Sequence, residues 1–503
     1  MKTVIFPIFR YVRFAVIVPL AFILCLSPSC VKETKPVKES VTEEKVPLPG
    51  HDEIVLGKKV DDPYSLRNMQ KALSSLGFDK ALSPTHKYVR FLPSNAEDLL
   101  SLQQLGVPLF DHPLDYEIEV DGDFYHDPSL SESMYTWLYA VLEVDVPLPE
   151  DITCQRLHEC FIRPEMKASG KDSPSWENLV RESFRLCDIG LSAKPKGIFR
   201  PEGRLFIDGT LTYGDIVPLS GARVVMNSFT MVESDSVDEN GGFSSDSPFV
   251  GVVRYRVDFM GEVWSVGMSG SENIFSSHAF GSGAYGSVVD LVISSDSDGR
   301  TMRRAAASLA LEDYSALVER EGISEVTLPE DFSSRMLSGF DSEGTALLSS
   351  RGVSFPGTLL GEYLGGNIAE IGAFHADAVI GEGKGEKFGE VYAEVARMAA
   401  DAGLCGKIGT ASWGRSIYGR MSASLSGGEA SDYGRSDEVI RMWSDLVAGI
   451  MYEKRFGRPC PVSEGDHMEL LPELYAGGES LGEILSLITW KTATADDLLP
   501  LLR

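Results

Sequence analysis

The 503-residue chain carries 46 lysine and arginine residues against 74 aspartate and glutamate residues, a formal net charge of −28. A surface this acidic repels phosphate backbones and anionic lipid headgroups, so nucleic acid is not an expected partner. The hydrophobic fraction of 43% is ordinary for a globular protein. The length predicts two or three domains.

The first 29 residues have the pattern of a lipoprotein signal peptide. Lys2, Arg10 and Arg13 are their only charges, and the apolar run Phe14 to Leu26 is shorter than the roughly 20 residues that a membrane span needs. We expect residues 1–29 to be removed and the thiol of Cys30 to carry lipid. The chain would then be anchored in a Gram-negative envelope, at the outer membrane facing the periplasm or the surface. An ordinary signal peptide with an unrelated cysteine is the alternative.

The next two segments differ in composition. Residues 30–55 are rich in Lys, Glu, Val and Pro and are predicted to form a disordered tether. Residues 63–164 are predicted to form a small α+β domain. Within it, Pro63 to Gly77 and Asn95 to Leu105 are helix candidates, and Lys87 to Pro93 alternates like a strand.

Residues 197–268 have an all-β pattern, in which short strand candidates are separated by Gly, Asp, Asn and Ser. Regular short strands with such turns are typical of a β-sandwich. In Gly209, in Pro218 to Val224 and in Asp238 to Phe243, the segment resembles the carboxypeptidase-regulatory-like, transthyretin-like sandwich. The resemblance implies a structural or adhesive module.

From residue 297 to residue 503 the chain is predicted to be mainly helical. The helix candidates are Arg303 to Glu321, Glu390 to Ala402, Glu438 to Lys454 and Ser480 to Thr489. Gly403 is expected to end the second of them. The predicted fold class is therefore a multidomain α+β chain, with a small α+β domain, a β-sandwich and a mainly α-helical C-terminal domain.

Familiar catalytic signatures are missing from the sequence, which has no GxSxG elbow, no Walker loop and no HExxH zinc helix. The pair His158-Glu159 begins like a zinc helix, but Ile162 stands where the second histidine belongs. We therefore interpret the pair as the edge of an amphipathic helix.

The cysteines after Cys30 are expected to be mostly buried free thiols. They are Cys154, Cys160, Cys187, Cys405 and Cys460. An exported chain permits disulfides, so a bond from Cys154 to Cys160 or Cys187 is an alternative.

Three features together resemble a family of Bacteroidota lipoproteins. They are the segment Pro84 to Pro93, the segment Pro113 to Trp137, and a sandwich followed by a helical region. The resemblance implies a C-terminal region like that of a zincin, with an HExxH helix and a later acidic ligand close to a tryptophan. In this chain the segment Phe388 to Arg397 takes the place of that zinc helix.

The zinc ligands themselves are replaced. Ala393 and Arg397 stand at the two histidine positions, Glu394 keeps the general-base position, and Arg441, two residues before Trp443, takes the place of the acidic ligand. Zinc catalysis needs lone-pair ligands at positions i and i+4 of one helix. Alanine offers no ligand and arginine repels the ion, so no metal, no cofactor and no catalytic residue are expected.

The function predicted from these patterns is that of a non-catalytic envelope lipoprotein, a pseudo-metalloprotease that binds a protein, a peptide or a glycan. Glu394, Arg397 and Arg441 would line the former cleft, where two arginines suit carboxylates or an extended peptide. If the placement on the zincin pattern does not hold, the helix is simply amphipathic and was never a site.

Three alternatives remain open from the sequence. The first is a metallohydrolase with a different metal site, for which His375 and Asp377 are the candidates. The second is a nucleophilic Cys405, which would need a histidine partner. The third is a structural component of an outer-membrane assembly without any pocket.

Overall fold

The computed structural model describes residues 53–122, 124–131, 134–162, 174–189, 199–268, 277–283, 289–297, 299–337, 345–347, 349–350, 353–354, 376–381, 387–411, 413–414, 418, 436–461, 470–489 and 498. Helices and sheets are mixed, as predicted for an α+β chain. Residues 1–29, Cys30 and most of the predicted tether lie outside the described residues. Among the described helices, none is long and apolar enough to cross a membrane.

The N-terminal segment contains three helices and five strands. They are β1 Val55–Lys59, α1 Leu66–Ser75, β2 His86–Leu92, α2 Ala96–Gln103, β3 Tyr116–Val120, β4 Leu138–Glu143, β5 Thr153–Cys160 and α3 Trp176–Leu186.

A three-stranded antiparallel sheet organises this segment, with β2 between β4 and β5. Successive side chains of a strand point to opposite faces of its sheet. Val89 and Phe91 pack in a small core with Leu99 and Leu102 of α2, whereas Tyr88 belongs to the large core that includes α1 and α3. The sheet is therefore covered on both faces.

The predicted helices at 63–77 and 95–105 are confirmed as α1 and α2. The helical interpretation of His158-Glu159 is wrong, because both residues lie in strand β5. The register between β2 and β5 shifts next to Tyr88, where His158 and Arg156 oppose consecutive residues. This irregularity interrupts the simple alternation of buried and exposed positions by which a strand is recognised in a sequence.

The middle of the chain is all-β. Its strands are β6 Glu202–Ile207, β7 Val217–Pro218, β8 Arg223–Ser228, β9 Met231–Ser236, β10 Gly242–Ser244, β11 Val253–Asp258, β12 Trp264–Met268, β13 Ser277–Gly283 and β14 Val289–Ile293.

Eight of these strands form two four-stranded sheets. One sheet has the order β10-β6-β14 with β7 beside β6, and the other has the order β13-β11-β8-β9. The rings of Phe243 in β10 and Tyr255 in β11 lie 6.1 Å apart between centroids, so the two sheets meet there. The tight turn predicted before Phe243 is present: the N–H groups of Asn240 and Gly242 both donate to the Asp238 carboxylate at 2.8 Å.

Strand pairing crosses the boundary predicted at residue 268. Strand β14 lies beyond it and pairs in parallel with β6, whereas β12 lies before it and pairs in parallel with Phe332–Leu337 of the C-terminal region. The all-β segment and the C-terminal region are therefore joined through shared sheets.

The C-terminal region contains both helices and strands. They are α4 Gly299–Glu321, β15 Phe332–Leu337, β16 Thr345–Leu347, β17 Ser349–Ser350, β18 Val353–Ser354, β19 Ala378–Gly381, α5 Phe388–Ile408, α6 Ser436–Phe456, α7 Leu470–Ala476 and α8 Leu481–Leu487.

A four-stranded sheet with the order β12-β15-β19-β16 runs through the region predicted to be mainly helical. Strands β12, β15 and β19 are parallel, and β16 is an antiparallel strand at the edge. Helix α5 follows β19 and packs against both α4 and α6. Sixteen of its 21 residues are buried, which makes α5 the centre of this region.

Gly403 was expected to end the helix at 390–402, and this prediction is wrong, because α5 continues to Ile408. The helix ends instead at Gly409, whose φ of +83° suits glycine. A Cβ atom at position 403 would overlap the Tyr314 hydroxyl and the Val326 carbonyl oxygen, which share a 2.6 Å hydrogen bond. Glycine therefore serves close packing at position 403.

We predict that Gly403→Ala destabilises the protein by about 3 kcal/mol, because the added methyl must displace a backbone carbonyl. The matched control is Gly449→Ala in α6, where a Cβ would meet no atom within 4 Å. That control should gain about 0.5 to 1 kcal/mol from helix propensity. Thermal unfolding followed by circular dichroism compares the two variants, and equal midpoints would contradict the packing role of Gly403.

Candidate functional site

The polar positions of helix α5 form one stripe. Glu394, Arg397 and Asp401 are spaced by three and four residues, which places them on one face of the helix. Ala393, at the first predicted ligand position, is fully buried in the core, and its methyl group offers no ligand atom. The stripe is thus the part of α5 where charged chemistry is concentrated.

Helix α6 supplies the acid that faces this stripe. The Nε atom of Arg397 lies 2.6 Å from Oδ1 of Asp445, whose side chain is only 6% exposed. The Nη1 atom of Arg397 also lies 3.6 Å from Oε1 of Glu394. Arg441 is one helical turn before Asp445, and its charge acts on the Asp445 carboxyl. Glu394, Arg397 and Arg441 are therefore brought together around Asp445.

A second layer of polar contacts supports this cluster. The hydroxyl of Ser444 donates to the carboxylate of Asp401 and lies 2.8 Å from the carbonyl oxygen of Ile440. The indole N–H of Trp413 donates to the backbone carbonyl of Asp401 at 2.8 Å. Asp401 is therefore fixed from two directions, and α5 and α6 are joined by polar contacts along two turns.

The environment of Asp445 changes its acidity. Burial, the largest effect, raises the pKa of Asp445 from 3.8 to about 6, while Arg397 and Arg441 act in the opposite direction and Asp401 adds to the increase. Because the pKa in the folded protein is raised, the ionised carboxyl opposes folding relative to the protonated one. Its contribution to stability therefore improves as the pH falls from above 6 towards 4.

The arrangement offers no ligand set for a catalytic zinc ion at the predicted positions. Ala393 has no donor atom, and the guanidinium of Arg397 lies against the carboxylates of Asp445 and Glu394. A cation in that place repels a metal ion. What the cluster does chemically is to neutralise buried charge between two helices.

The other candidates that the structure describes, Asp377 and Cys405, take part in the hydrogen bonding or packing of the fold. Asp377 accepts the backbone N–H of Ser333 on its carboxylate at 3.0 Å, at the start of strand β19. Cys405 is 1% exposed inside α5. His375 lies outside the described residues.

None of the five cysteines in the described residues forms a disulfide, as expected for most of them, but only Cys160 and Cys405 are buried, so the expectation that most of these thiols are buried is wrong. The five cysteines are Cys154, Cys160, Cys187, Cys405 and Cys460. The alternative of a Cys154 disulfide is not present.

A second polar cluster was not predicted from the sequence. His158 and Cys160 are two residues apart in β5, and Asp62 lies before α1. The ligand-type atoms of these three side chains all lie within 4.8 Å of one another. The Nε2 atom of His158 is 2.7 Å from Oδ2 of Asp62, and the hydroxyl of Thr230 donates to the same oxygen at 2.7 Å.

This second cluster borders a cavity of about 620 Å³. Asp62 and His158 are part of the cavity wall, together with Asp115 and Lys59. Burial raises the pKa of the Cys160 thiol well above its usual value, so the thiol is protonated at neutral pH in the absence of a bound cation. The sequence signal was limited to the His-x-Cys spacing, which places two side chains on one face only if the segment is a strand.

Comparison with known proteins found no protein family, no curated protein and no solved structure that matches this chain. The functional interpretation therefore depends on the fold and on the two polar clusters.

We predict that Arg397→Gln lowers the free energy of unfolding by about 2 kcal/mol at pH 8 and by clearly less at pH 5. At pH 8 the variant leaves the ionised Asp445 carboxylate buried without its nearest cation, whereas at pH 5 the carboxyl, with a pKa of about 6, is largely protonated. Asp445→Asn in the same chain should remove most of this pH dependence.

The matched control is Arg320→Gln. The Arg320 side chain is 44% exposed, and its Nε atom lies 3.1 Å from Oε1 of Glu321 at the surface. That variant should change stability by less than about 0.5 kcal/mol at either pH. Chemical unfolding followed by tryptophan fluorescence at both pH values gives the comparison. Equal losses of unfolding free energy for Arg397→Gln at pH 5 and pH 8 would show that the effect of Arg397 does not depend on the ionisation of Asp445.

Proposed function

We propose that this chain is a non-catalytic, lipid-anchored envelope protein that binds a protein, a peptide or a glycan. We further propose that its C-terminal region is a zincin-like scaffold that has lost its metal. The observation that carries the proposal is the ion pair between Arg397 and Asp445, 2.6 Å apart, at the position where the second zinc-binding histidine would stand. A salt bridge there takes the place that a metal ion would need.

The packing of α5 and α6 supports this interpretation of the helix pair. The residues assigned to the two helices by resemblance, Glu394 and Arg397 on α5 and Arg441 on α6, come together although they are more than 40 residues apart in sequence. Trp443, on which the assignment depended, is fully buried in α6. This proximity supports the assignment.

The binding role differs in one respect from the expectation based on the sequence. Arg397 already faces the carboxylates of Asp445 and Glu394 within its own chain. A ligand carboxylate would have to displace a buried internal partner, which is costly. We therefore propose that the partner is bound on the surface of the β-sandwich or the N-terminal segment rather than between α5 and α6.

The sandwich is the module that supports a binding role. Its two four-stranded sheets and the turn at Asp238 fit the proposed carboxypeptidase-regulatory-like module, although β14 adds a strand from beyond residue 268. Ile216 and Val252, the residues just before β7 and β11, are 66% and 59% exposed, so this part of the chain has exposed apolar side chains.

The rival metallohydrolase with His375 and Asp377 as ligands has less support. The Asp377 carboxylate accepts the N–H of Ser333, which ties it to the start of a strand. The other alternative, a purely structural component of an outer-membrane assembly, was expected to have no pocket. The cavity of about 620 Å³ beside Asp62 argues against that alternative.

We predict that the full chain, purified in detergent, does not cleave fluorescein-labelled casein, even with excess zinc. The control is Glu394→Gln, which would abolish activity if Glu394 acted as the general base of a zinc protease. Both proteins should give the same background release of fluorescein. Cleavage by the wild-type chain that Glu394→Gln removes would refute the non-catalytic role.

We predict that Cys30→Ser abolishes the incorporation of an alkyne-palmitate label and moves the protein from the membrane fraction to the soluble fraction. The thiol of Cys30 is the expected lipid attachment point, so the substitution removes the whole lipid anchor and with it the burial of its CH₂ groups in the membrane. Cys25→Ser, within the leader, should keep the label. Labelling of Cys30→Ser at the wild-type level would contradict the proposed anchor.

A further inference from the structure

The cluster of Asp62, His158 and Cys160 combines a carboxylate, an imidazole and a thiol. His158 and Cys160 share one face of β5 because they are two residues apart, and Asp62 reaches them from the loop before α1. The side chain of Asp62 is 1% exposed and that of His158 is 26% exposed. Strand β5 and the loop before α1 therefore hold nitrogen, sulfur and oxygen ligands close together.

We propose that Asp62, His158 and Cys160 bind one zinc ion, with the fourth coordination position open to the adjacent cavity. Zinc is bound tetrahedrally by this set of atom types, at about 2.0 to 2.3 Å from each. Ligand atoms around such an ion lie roughly 3 to 4 Å apart. The three atoms now lie within 4.8 Å of one another, so small side-chain adjustments bring them to an ion.

Polar groups of this chain hold the Asp62 carboxylate in position. The carboxylate of Asp62 is contacted by the His158 ring, the Thr230 hydroxyl and the backbone N–H of Tyr64. Three other carboxylates of the cavity wall are paired with permanent cations: Asp115 with Lys59 at 3.2 Å, Asp61 with Arg67 at 3.3 Å and Glu159 with Arg156 at 3.5 Å.

The net charge of the cavity wall is negative. Its carboxylates are Asp61, Asp62, Asp115 and Glu159, and its permanent cations are Lys59 and Arg67. The excess of carboxylates leaves net negative charge that a divalent ion would neutralise. The cavity, about 620 Å³ in volume, has room for a water molecule or a larger fourth ligand.

Binding would change the present contacts in a defined way. Zinc replaces the hydrogen bond between His158 and Asp62, and it displaces the proton of the Cys160 thiol, which is released to solvent. Thr230 keeps its hydrogen bond to Asp62 and orients the carboxylate from the β8–β9 turn, as a group outside the ligand set. The ion would thereby tie β5 to the loop before α1, at a point supported by the sandwich.

The test is a zinc titration of the full chain without a histidine tag, after metal removal with a chelator, against a chromophoric competitor. We expect one zinc equivalent in the wild-type chain. His158→Gln and Cys160→Ser should each weaken binding at least tenfold. The matched controls are His126→Gln and Cys154→Ser, since Cys154 lies in the same strand β5 and is not part of the cluster. Both should retain wild-type affinity.

Cobalt substitution covers the case in which Cys160→Ser fails to fold. The wild-type chain loaded with cobalt should show a thiolate-to-cobalt charge-transfer band and the strong visible bands of a tetrahedral site. Absence of zinc binding, weak octahedral bands without thiolate charge transfer, or unchanged affinity of folded His158→Gln would each overturn the site. These results are independent of Glu394, so they do not depend on whether α5 and α6 are catalytic.

Discussion

The burial of helix α5 on nearly every side is the constraint on which the C-terminal half of the chain depends. The helix packs against α4 and α6 and follows the inner strand β19, so its surface has almost no solvated face. Alanine and glycine at positions such as 393, 396, 399 and 403 let the neighbouring elements approach closely. A helix covered in this way can carry charge only where a neighbour compensates it.

The stripe of Glu394, Arg397 and Asp401 meets this requirement through α6. Asp445 faces Arg397, and Ser444 donates to Asp401. A metal ion with its ligands and a salt bridge are two ways of neutralising charge between the same pair of helices. Under the proposed function, the exchange of one for the other explains how a scaffold of this kind persists after the chemistry is lost.

Local patterns in the sequence predicted the local elements well. Helices α1, α4 and α6 were recognised from apolar spacing, α2 as a polar helix, and the turn at Asp238 from its Asp-Glu-Asn-Gly residues. The parallel sheet of β12, β15 and β19 was missed, because its strands pair across 68 residues (Trp264 with Phe332) and 44 residues (Ser334 with Ala378), which local periodicity does not report. Residues 264–268 were included in the predicted sandwich segment for the same reason.

The candidate sites show the same contrast between what local sequence predicts and what depends on long-range contacts. Positions 394, 397 and 441 were singled out by resemblance, but Asp445, the acid that pairs with Arg397, was not, because the resemblance placed the acidic ligand two residues before Trp443. Glycine is common at helix ends, but Gly403 lies inside α5, where it allows close packing against Tyr314. The contact of Asp62 with His158 joins residues 96 positions apart and follows only from the fold.

The two polar clusters differ in the source of the positive charge that balances their buried carboxylates. Between α5 and α6, the chain itself provides Arg397 and Arg441 for the buried acid Asp445, so the charge is already balanced. At Asp62, the contacting groups are an imidazole, a hydroxyl and a backbone N–H, in a cavity wall with more carboxylates than permanent cations. Buried charge requires a partner in both places. The first cluster has an internal partner and the second has lone-pair ligands, which is why a metal ion is expected only at the second.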